Sequence, residues 1–372
     1  MSRAYLDHAS VSPLRPEAKA ALLEWIDVTG DPGRVHTEGR MTRAALEDAR
    51  ERVASFLGAR PRSVVFTSGA TEAINAACFG AAGRRPSGAF VAAAVEHSAV
   101  RDASARHGEV LVPAVDGFGR IDVDSVRALL DHNVALVHCQ WANHEVATLQ
   151  PVAEIAELCR ERGVLLHVDA AAAAGHVPIA FDDLGVDLLS VSASKFGGPV
   201  GVGALLVRRG LRLDPLLLGG DQERARRAGL ESVALVEAMA AVADVLAAHQ
   251  EREANENYLQ TCAAADAALA VPDVAQYGDP VARVPHIVCV GAQGVEAEAV
   301  LLGLDQAGVA AHSGSACSSE ALEPSPVLEA MGVDARRSLR VSVGWSTSDD
   351  DIRAFAAAFP SVVERLRALG AG

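Results

Sequence analysis

Lysine is almost absent from this sequence. Of its 33 basic residues only Lys19 and Lys195 are lysines, and all the others are arginines. Aromatic residues make up only 4% of the 372 residues, so alanine and valine have to fill the core. The formal net charge is −15, which argues against binding to nucleic acid or to an anionic membrane. This excess of acidic residues is compatible with a small-molecule enzyme.

The chain also lacks cysteine clusters and long apolar runs. Its six cysteines are scattered, with no CxxC pair and no zinc spacing, so we expect no metal site. The first residues, MSRAYLDHAS, do not contain the apolar run of a signal peptide, and no uncharged stretch reaches membrane-spanning length. These absences predict a cytoplasmic protein without a membrane anchor, whose thiols are reduced.

Hydrophobic patterning predicts alternating helices and strands over the first half of the chain. The predicted strands are 63–67, 135–140, 164–170, 187–192 and, less regular, 203–209. The predicted helices are 40–58, 70–80 and 152–163. This alternation is typical of an α/β fold, with a mostly parallel sheet covered by helices on both faces.

The second half has a different pattern. A long helical pattern runs from about 229 to 268 and would connect two domains. Further strands at 286–290 and 338–343, with helices at 295–307 and 348–368, predict a smaller α+β domain. We therefore expect a large domain over 14–254, and a small domain built from 1–13 and 255–372.

Polar residues follow several of the predicted strands, at the edge where open α/β sheets bind ligands. Lys195 ends SASK after strand 187–192, and Asp169 ends the strand 164–170. Only a lysine amine forms an imine with an aldehyde, because the arginine guanidinium stays protonated. A lysine and a carboxylate at neighbouring strand ends suit pyridoxal phosphate, whose ring nitrogen the carboxylate would keep protonated. A helix cap is the alternative role for Asp169.

Three other features have both a functional and an ordinary interpretation. TSGATE (67–72) joins a strand to a helix, which suits a phosphate seat but also an ordinary N-cap. Cys317 lies in HSGSACSSEALEPSP, a run of small and polar residues, and would be either a nucleophile or an incidental exposed thiol. His97 in VEHSAV is a candidate ring contact or a structural histidine.

In order along almost the whole chain, the sequence resembles the group I cysteine desulfurases (NifS- and IscS-like enzymes) of the class V aminotransferase family. The matching segments are YLDHAS, GDPGRVHTEGR, VVFTSGATEAIN, EHSAV, NHEVATLQP, LLHVDA, SASKFGGPVGVGAL, LGGDQERARRAG, SGSACSSEALEPSPVLEAMG and SLRVSVG. The resemblance implies the fold-type I architecture of pyridoxal phosphate enzymes. In that fold the large domain has a mostly parallel, seven-stranded sheet, and the small α+β domain carries the cysteine loop.

The resemblance also implies a role for each matching residue. Lys195, Cys317 and His97 would be catalytic, as imine-forming base, sulfur nucleophile and ring-stacking group. Asn143 and Arg340 would bind the substrate. The residues that would hold pyridoxal phosphate are Ala70, Thr71, His97, Asn143, Asp169, Ser192, Ser194 and Lys195. The implied partners are L-cysteine, a second copy of the chain and a sulfur-acceptor protein.

Several positions depart from the family pattern. Ala172 replaces the usual glutamine, Ser194 a histidine, and Ala228 and Leu230 a serine and a threonine. Each change removes a hydrogen-bonding group that contributes about 0.5–1.5 kcal/mol. The chain is therefore expected to be a divergent cysteine desulfurase. The alternatives are a C–S lyase acting on cystine or a thioether, and a non-catalytic scaffold.

Overall fold

The computed structural model describes residues 3–313 and 324–370, which form helices and strands in alternation. The strands are β1 Ala4–Tyr5, β2 Val64–Thr67, β3 Ala89–Val91, β4 Val110–Leu111, β5 Val134–Gln140, β6 Leu165–Asp169, β7 Leu188–Ser192, β8 Gly203–Val207, β9 Val274–Tyr277, β10 Ile287–Ala292, β11 Val309–Ala310 and β12 Ser338–Ser342. The helices are α1 Pro16–Trp25, α2 Thr37–Phe56, α3 Ala70–Arg84, α4 Ser98–His107, α5 Val123–Leu129, α6 Val152–Arg162, α7 Phe181–Leu184, α8 Gln222–Ala225, α9 Val233–Leu269, α10 Ala297–Gln306, α11 Pro326–Ala330 and α12 Asp349–Gly370.

A seven-stranded sheet forms the centre of the larger part of the molecule. Its order is β2-β8-β7-β6-β5-β3-β4, and only β8 runs antiparallel to its two neighbours. All seven residues of β5 are buried, because helices cover both faces of the sheet. The predicted α/β fold with a mostly parallel, seven-stranded sheet is confirmed.

The parallel order determines where the polar strand ends meet. Strands β5, β6 and β7 are neighbours, and the register pairs Gln140 with Asp169 and Asp169 with Ser190. Their carboxyl ends therefore lie side by side at one edge of the sheet. The N-terminus of α3, which follows β2, opens onto the same edge next to Ser192.

A second sheet and a second core lie in the later part of the chain. Strands β9, β10 and β12 form an antiparallel sheet in the order β12-β10-β9, against which α12 packs its Phe355 and Phe359. Strand β1, from the start of the chain, pairs in parallel with β11. Helix α9 runs unbroken past residue 254, where the domain boundary was predicted, so the division between domains stays a prediction.

Helix α9 is long and apolar enough to cross a membrane by length and composition alone. Its buried side chains, such as Val236, Met239 and Leu246, belong to the main hydrophobic core. The helix packs against α1 and α2 and reaches α12 at its other end. Its apolar composition therefore follows from its place in the core, and core helices commonly pass such a test.

Candidate active site

A cavity of about 370 Å³ lies at the carboxyl ends of β5, β6 and β7. The residues that the sequence places at the site and that line the cavity are Ala70, Thr71, His97, Asp169, Ser192, Ser194, Lys195 and Arg340. Its size falls in the ordinary range for a small-molecule site. The structure thus brings together residues that are up to 270 positions apart in the chain, from Ala70 to Arg340.

Lys195 lies one short turn beyond β7. The turn Ala193–Lys195 projects the half-buried side chain across the cavity. Its Nζ donates to the carbonyl oxygens of Ala9 at 2.9 Å and Ser10 at 2.7 Å. Two backbone acceptors therefore orient the amine at the mouth of the site.

Asp169 is the last residue of β6 and is only 8% exposed. Its Oδ1 accepts from the Ser190 hydroxyl at 2.9 Å and from the backbone N–H of Ala171 at 3.1 Å. Within the described residues its Oδ2 has no hydrogen-bond partner, although the residue lines the cavity. One carboxylate oxygen is thus held rigidly while the other can accept a proton-bearing ring nitrogen.

The N-terminus of α3 offers a seat for a phosphate. Gly69 caps the helix without a side chain and has φ of +151°, a conformation that favours glycine. The backbone N–H groups of Ala70 and Thr71 have no acceptor among the described residues. Such open N–H groups, together with the helix dipole, favour an anion.

Two serine hydroxyls complete this seat. Ser192 Oγ and Ser194 Oγ lie 3.2 Å apart, and Ser192 Oγ also lies beside Gly69. Ser194 therefore places a neutral hydroxyl where the family has a histidine. Ala172, which replaces the family's glutamine, lines the cavity without a polar side-chain group.

The arginines near this seat are engaged elsewhere within the chain. Arg227 pairs with Glu72 at 2.9 Å, and Arg224 pairs with Glu47 at 2.7 Å. Glu72 also accepts from the backbone N–H of Ser68. The ion pair with Arg227 neutralises the acidic residue in the first turn of α3, which leaves the dipole of that helix available for an anion.

His97 is the N-cap of α4. Its Nδ1 accepts from the backbone N–H of Ala99 at 3.0 Å, which leaves Nε2 to carry the ring proton. The ring packs edge-on against His144, with centroids 5.2 Å apart, and both rings line the cavity. The cap therefore determines both the orientation and the tautomer of the His97 ring.

Asn143 does not line the cavity. It is fully buried, its Nδ2 donates to the carbonyl oxygen of Val95, and its Oδ1 accepts from the N–H groups of Glu145 and Val146. These bonds shape the loop that presents His144 to the cavity. The geometry gives Asn143 a positioning role, and direct contact with cofactor or substrate stays a prediction.

Arg340 lies on β12 and is 1% exposed. Its Nη1 donates to the carbonyl oxygen of His144 at 2.8 Å. Its Nη2 donates to Asp7 Oδ1 at 2.9 Å and to Ser10 Oγ at 2.8 Å. No sequence pattern signals the contacts with Asp7 and Ser10, because they join residues more than 300 positions apart.

Glu96 is a further residue at the site that the sequence pattern does not reveal. It is buried next to His97, and burial raises the pKa of its carboxyl to about 8. Its Oε1 accepts from the backbone N–H of Gln140 at 2.7 Å, at the end of β5. A carboxyl that is neutral near pH 7 adds no second negative charge beside Asp169.

Cys317 lies outside the described residues. The described chain before it is anchored at His312, whose backbone pairs with Arg340: Arg340 N donates to His312 O at 2.6 Å. The described chain resumes at Pro324, followed by Ser325, whose hydroxyl donates to Glu145 Oε2 at 2.5 Å. The described chain before Cys317 therefore ends next to Arg340, which lines the cavity.

The arrangement fits pyridoxal phosphate. Lys195 supplies the amine, Asp169 an unpartnered carboxylate oxygen, and the N-terminus of α3 a seat for the phosphate. All three groups line one cavity. The fit rests on this donor set, which matches the aldehyde, the ring nitrogen and the phosphate of that molecule.

Comparison with known proteins points in the same direction. The family model described as aminotransferase class-V matches residues 4–355. A protein named cysteine desulfurase from Trichormus azollae is 38% identical over 379 residues, covering 99% of this chain and 95% of that protein.

Solved structures also resemble this chain. A structure titled NifS-like protein superposes with a TM-score of 0.90 at 26% identity, covering 98% of this chain and 99% of the other. A structure titled SspA in complex with cysteine superposes with a TM-score of 0.80 at 26% identity, covering 91% of this chain and 98% of the other.

Proposed function

This chain belongs to the class-V aminotransferase family and is one of its cysteine desulfurases, and from this premise we propose how its cavity removes sulfur from L-cysteine. The observation that supports the proposal is the meeting of Lys195, Asp169 and the open N-terminus of α3 around one cavity that Arg340 also lines. Lys195 and Asp169 would hold the aldehyde and ring nitrogen of pyridoxal phosphate. The N–H groups of Ala70 and Thr71, with the hydroxyls of Ser192 and Ser194, would hold its phosphate.

When bound, pyridoxal phosphate supplies a ring that accepts the electrons released as the substrate Cα loses its proton. The residues of the chain carry out the remaining work. Lys195 Nζ takes the Cα proton, and the Ala9 and Ser10 carbonyl oxygens lie where they can orient that amine. Arg340 binds the substrate carboxylate, and Asp169 keeps the ring nitrogen protonated through its Oδ2.

The sulfur passes to Cys317 in this proposal. The Cys317 thiolate attacks the substrate sulfur, an S–S bond forms and the C–S bond breaks. The products are L-alanine and a persulfide on Cys317, so that atoms and electrons balance without an added oxidant. The persulfide then transfers its outer sulfur to an acceptor protein.

A homodimer is part of the proposal. Leu217, Leu218 and Leu230 are large apolar side chains left exposed in this chain, and Leu230 is 60% exposed. Leu230 replaces the threonine that, by resemblance to the family, would reach the neighbouring subunit's phosphate. Burial of such a patch against a second copy would remove its apolar surface from water. We also propose that the enzyme acts in the cytoplasm.

Product analysis tests the proposal. The purified enzyme with pyridoxal phosphate, L-cysteine and a reductant should release alanine and sulfide. Cys317→Ala should keep the visible absorbance of the cofactor and lose at least about 100-fold in sulfide release, as expected for loss of a nucleophile. Cys262→Ala is the matched control, because Cys262 is the one described cysteine that is not fully buried.

The other outcomes separate the alternatives. Pyruvate in place of alanine would identify a C–S lyase. Wild-type sulfide release by Cys317→Ala would rule out the persulfide route. A chain that shows no cofactor absorbance after addition of pyridoxal phosphate would be a scaffold.

A further inference from the structure

The turn formed by residues Asp7 to Ser10 lies across both cationic side chains of the cavity. The carbonyl oxygens of Ala9 and Ser10 accept from Lys195 Nζ, and Asp7 and Ser10 side chains accept from Arg340. The turn is bound to β12, since the backbone N–H of Ala9 donates to Ser342 Oγ at 2.9 Å. These hydrogen bonds therefore hold the turn in place as part of the site.

The N–H groups of Arg340 show what this turn does. A guanidinium has five N–H donors. It can bind a carboxylate through two parallel hydrogen bonds, either from Nη1 and Nη2 or from Nε and Nη2, so both arrangements need Nη2. Nη2 already donates to two acceptors on this turn, Asp7 Oδ1 and Ser10 Oγ. A carboxylate that binds Arg340 through two parallel bonds therefore competes with Asp7 and Ser10 for Nη2.

We propose that Ser10 is a positioning residue that occupies the Arg340 seat and is displaced from Nη2 when the substrate carboxylate binds. This inference rests on the proposed function, in which Arg340 receives that carboxylate. Ser10 thereby sets how tightly the enzyme holds its amino-acid substrate.

The contact of Ser10 with Arg340 is easier to break than the contact of Asp7 with Arg340. The contact of Arg340 with Asp7 is an ion pair of a fully buried guanidinium, whereas Ser10 contributes a neutral hydroxyl. The Ser10 hydroxyl also donates to Asp7 Oδ1 at 2.9 Å, a bond that does not require its contact with Arg340. Ser10 is only half-buried, so its side chain has room to rotate.

The test compares a ligand with a carboxylate and one without. Wild-type holoenzyme and its Ser10→Ala variant are titrated with L-alanine and with ethylamine, following the visible absorbance of the cofactor. Ser10→Ala should bind L-alanine about two- to tenfold more tightly, because no hydroxyl has to be displaced. Binding of ethylamine, which has no carboxylate, should not change.

Two further variants complete the test. Ser10→Thr keeps the hydroxyl and should return the dissociation constant for L-alanine to the wild-type value. Ser10→Gly is a second variant without the hydroxyl, for use if Ser10→Ala does not fold. Unchanged or weaker binding of L-alanine by these hydroxyl-free variants would overturn the inference, and so would an equal change for ethylamine. If the wild-type holoenzyme binds neither ligand, the proposed function fails as well.

Discussion

At the scale of single residues, Lys195 is the position at which the proposed reaction requires a primary amine. The other lysine, Lys19, is exposed on α1 and does not line the cavity. Lys195 instead meets two backbone carbonyl oxygens in the cavity. An arginine there would keep the positive charge but could form no imine and take no proton.

Exchange of each lysine for arginine is a matched pair of experiments. Lys195→Arg should lower alanine production by at least about 100-fold, because the proton-transferring amine is lost. Lys19→Arg should have wild-type activity. With only two lysines in the chain, borohydride fixation of the cofactor followed by peptide mass analysis identifies the attachment site without ambiguity. Label on Lys19, or full activity of Lys195→Arg, would contradict the assignment.

The sequence predicts those site residues that follow from strand ends. Lys195, Asp169 and Thr71 each lie where a buried strand stops, so the parallel sheet brings them together. The contacts of Ser10 and the burial of Glu96 were not predictable in this way. They depend on packing between segments far apart in the chain, for which no local pattern exists.

At the scale of elements, the long strands and helices are confirmed close to their predicted limits, while short ones such as β4 and β11 carry too few residues for a period to show. The turn α8 is the least ordinary element. Glu223, Arg224 and Ala225 have φ of 50°, 59° and 58°, in the left-handed region. Buried Glu223 anchors it through two bonds to Arg50, at 2.7 and 2.8 Å.

A glycine at Ala225 should relieve part of this strain. A non-glycine residue in the left-handed region costs about 1–2 kcal/mol, against roughly 0.5–1 kcal/mol for the extra chain entropy of glycine. We expect Ala225→Gly to raise the free energy of unfolding by about 0.5–1 kcal/mol, measured as a higher urea midpoint at unchanged slope.

The control substitution is expected to change the free energy of unfolding in the opposite direction. Ala248 is equally exposed but lies within the regular helix α9. Ala248→Gly should lower the free energy of unfolding by about 1 kcal/mol. Two losses of similar size would show that the turn is not strained in solution.

At the scale of the whole molecule, three buried histidines join its separate parts. His8 belongs to the N-terminal segment, His176 lies near the large sheet, and His286 precedes β10. The rings of His176 and His286 stack with centroids 3.4 Å apart. Burial lowers the pKa of His8 and His176 to about 4, and that of His286 well below its ordinary value.

These histidines should make the enzyme sensitive to acid. The folded state favours the neutral rings, so their contribution is complete above the unfolded pKa of 6.5 and is lost as the pH falls towards 4. Between about pH 7 and pH 5 the free energy of unfolding should fall by on the order of 2 kcal/mol for each of His8 and His176.

Urea unfolding at the two pH values measures this loss, and His286→Phe should make it smaller while keeping a ring in the stack. Asp7 and Asp351 face His8, and Glu253 faces His176; these carboxylates oppose the effect. An equal loss in wild type and His286→Phe would show that other groups control the acid sensitivity.

The pairing of β1 with β11, and of Asp7 with Ser342, has a consequence for biosynthesis. Residues from the first ten positions of the chain are held by a strand that the ribosome completes only at Ser342. A nascent chain that has already folded its large sheet therefore still lacks Arg340, the proposed seat for the substrate carboxylate. In the proposed reaction, desulfuration and the reactive sulfur it produces must wait until β12 has been synthesised.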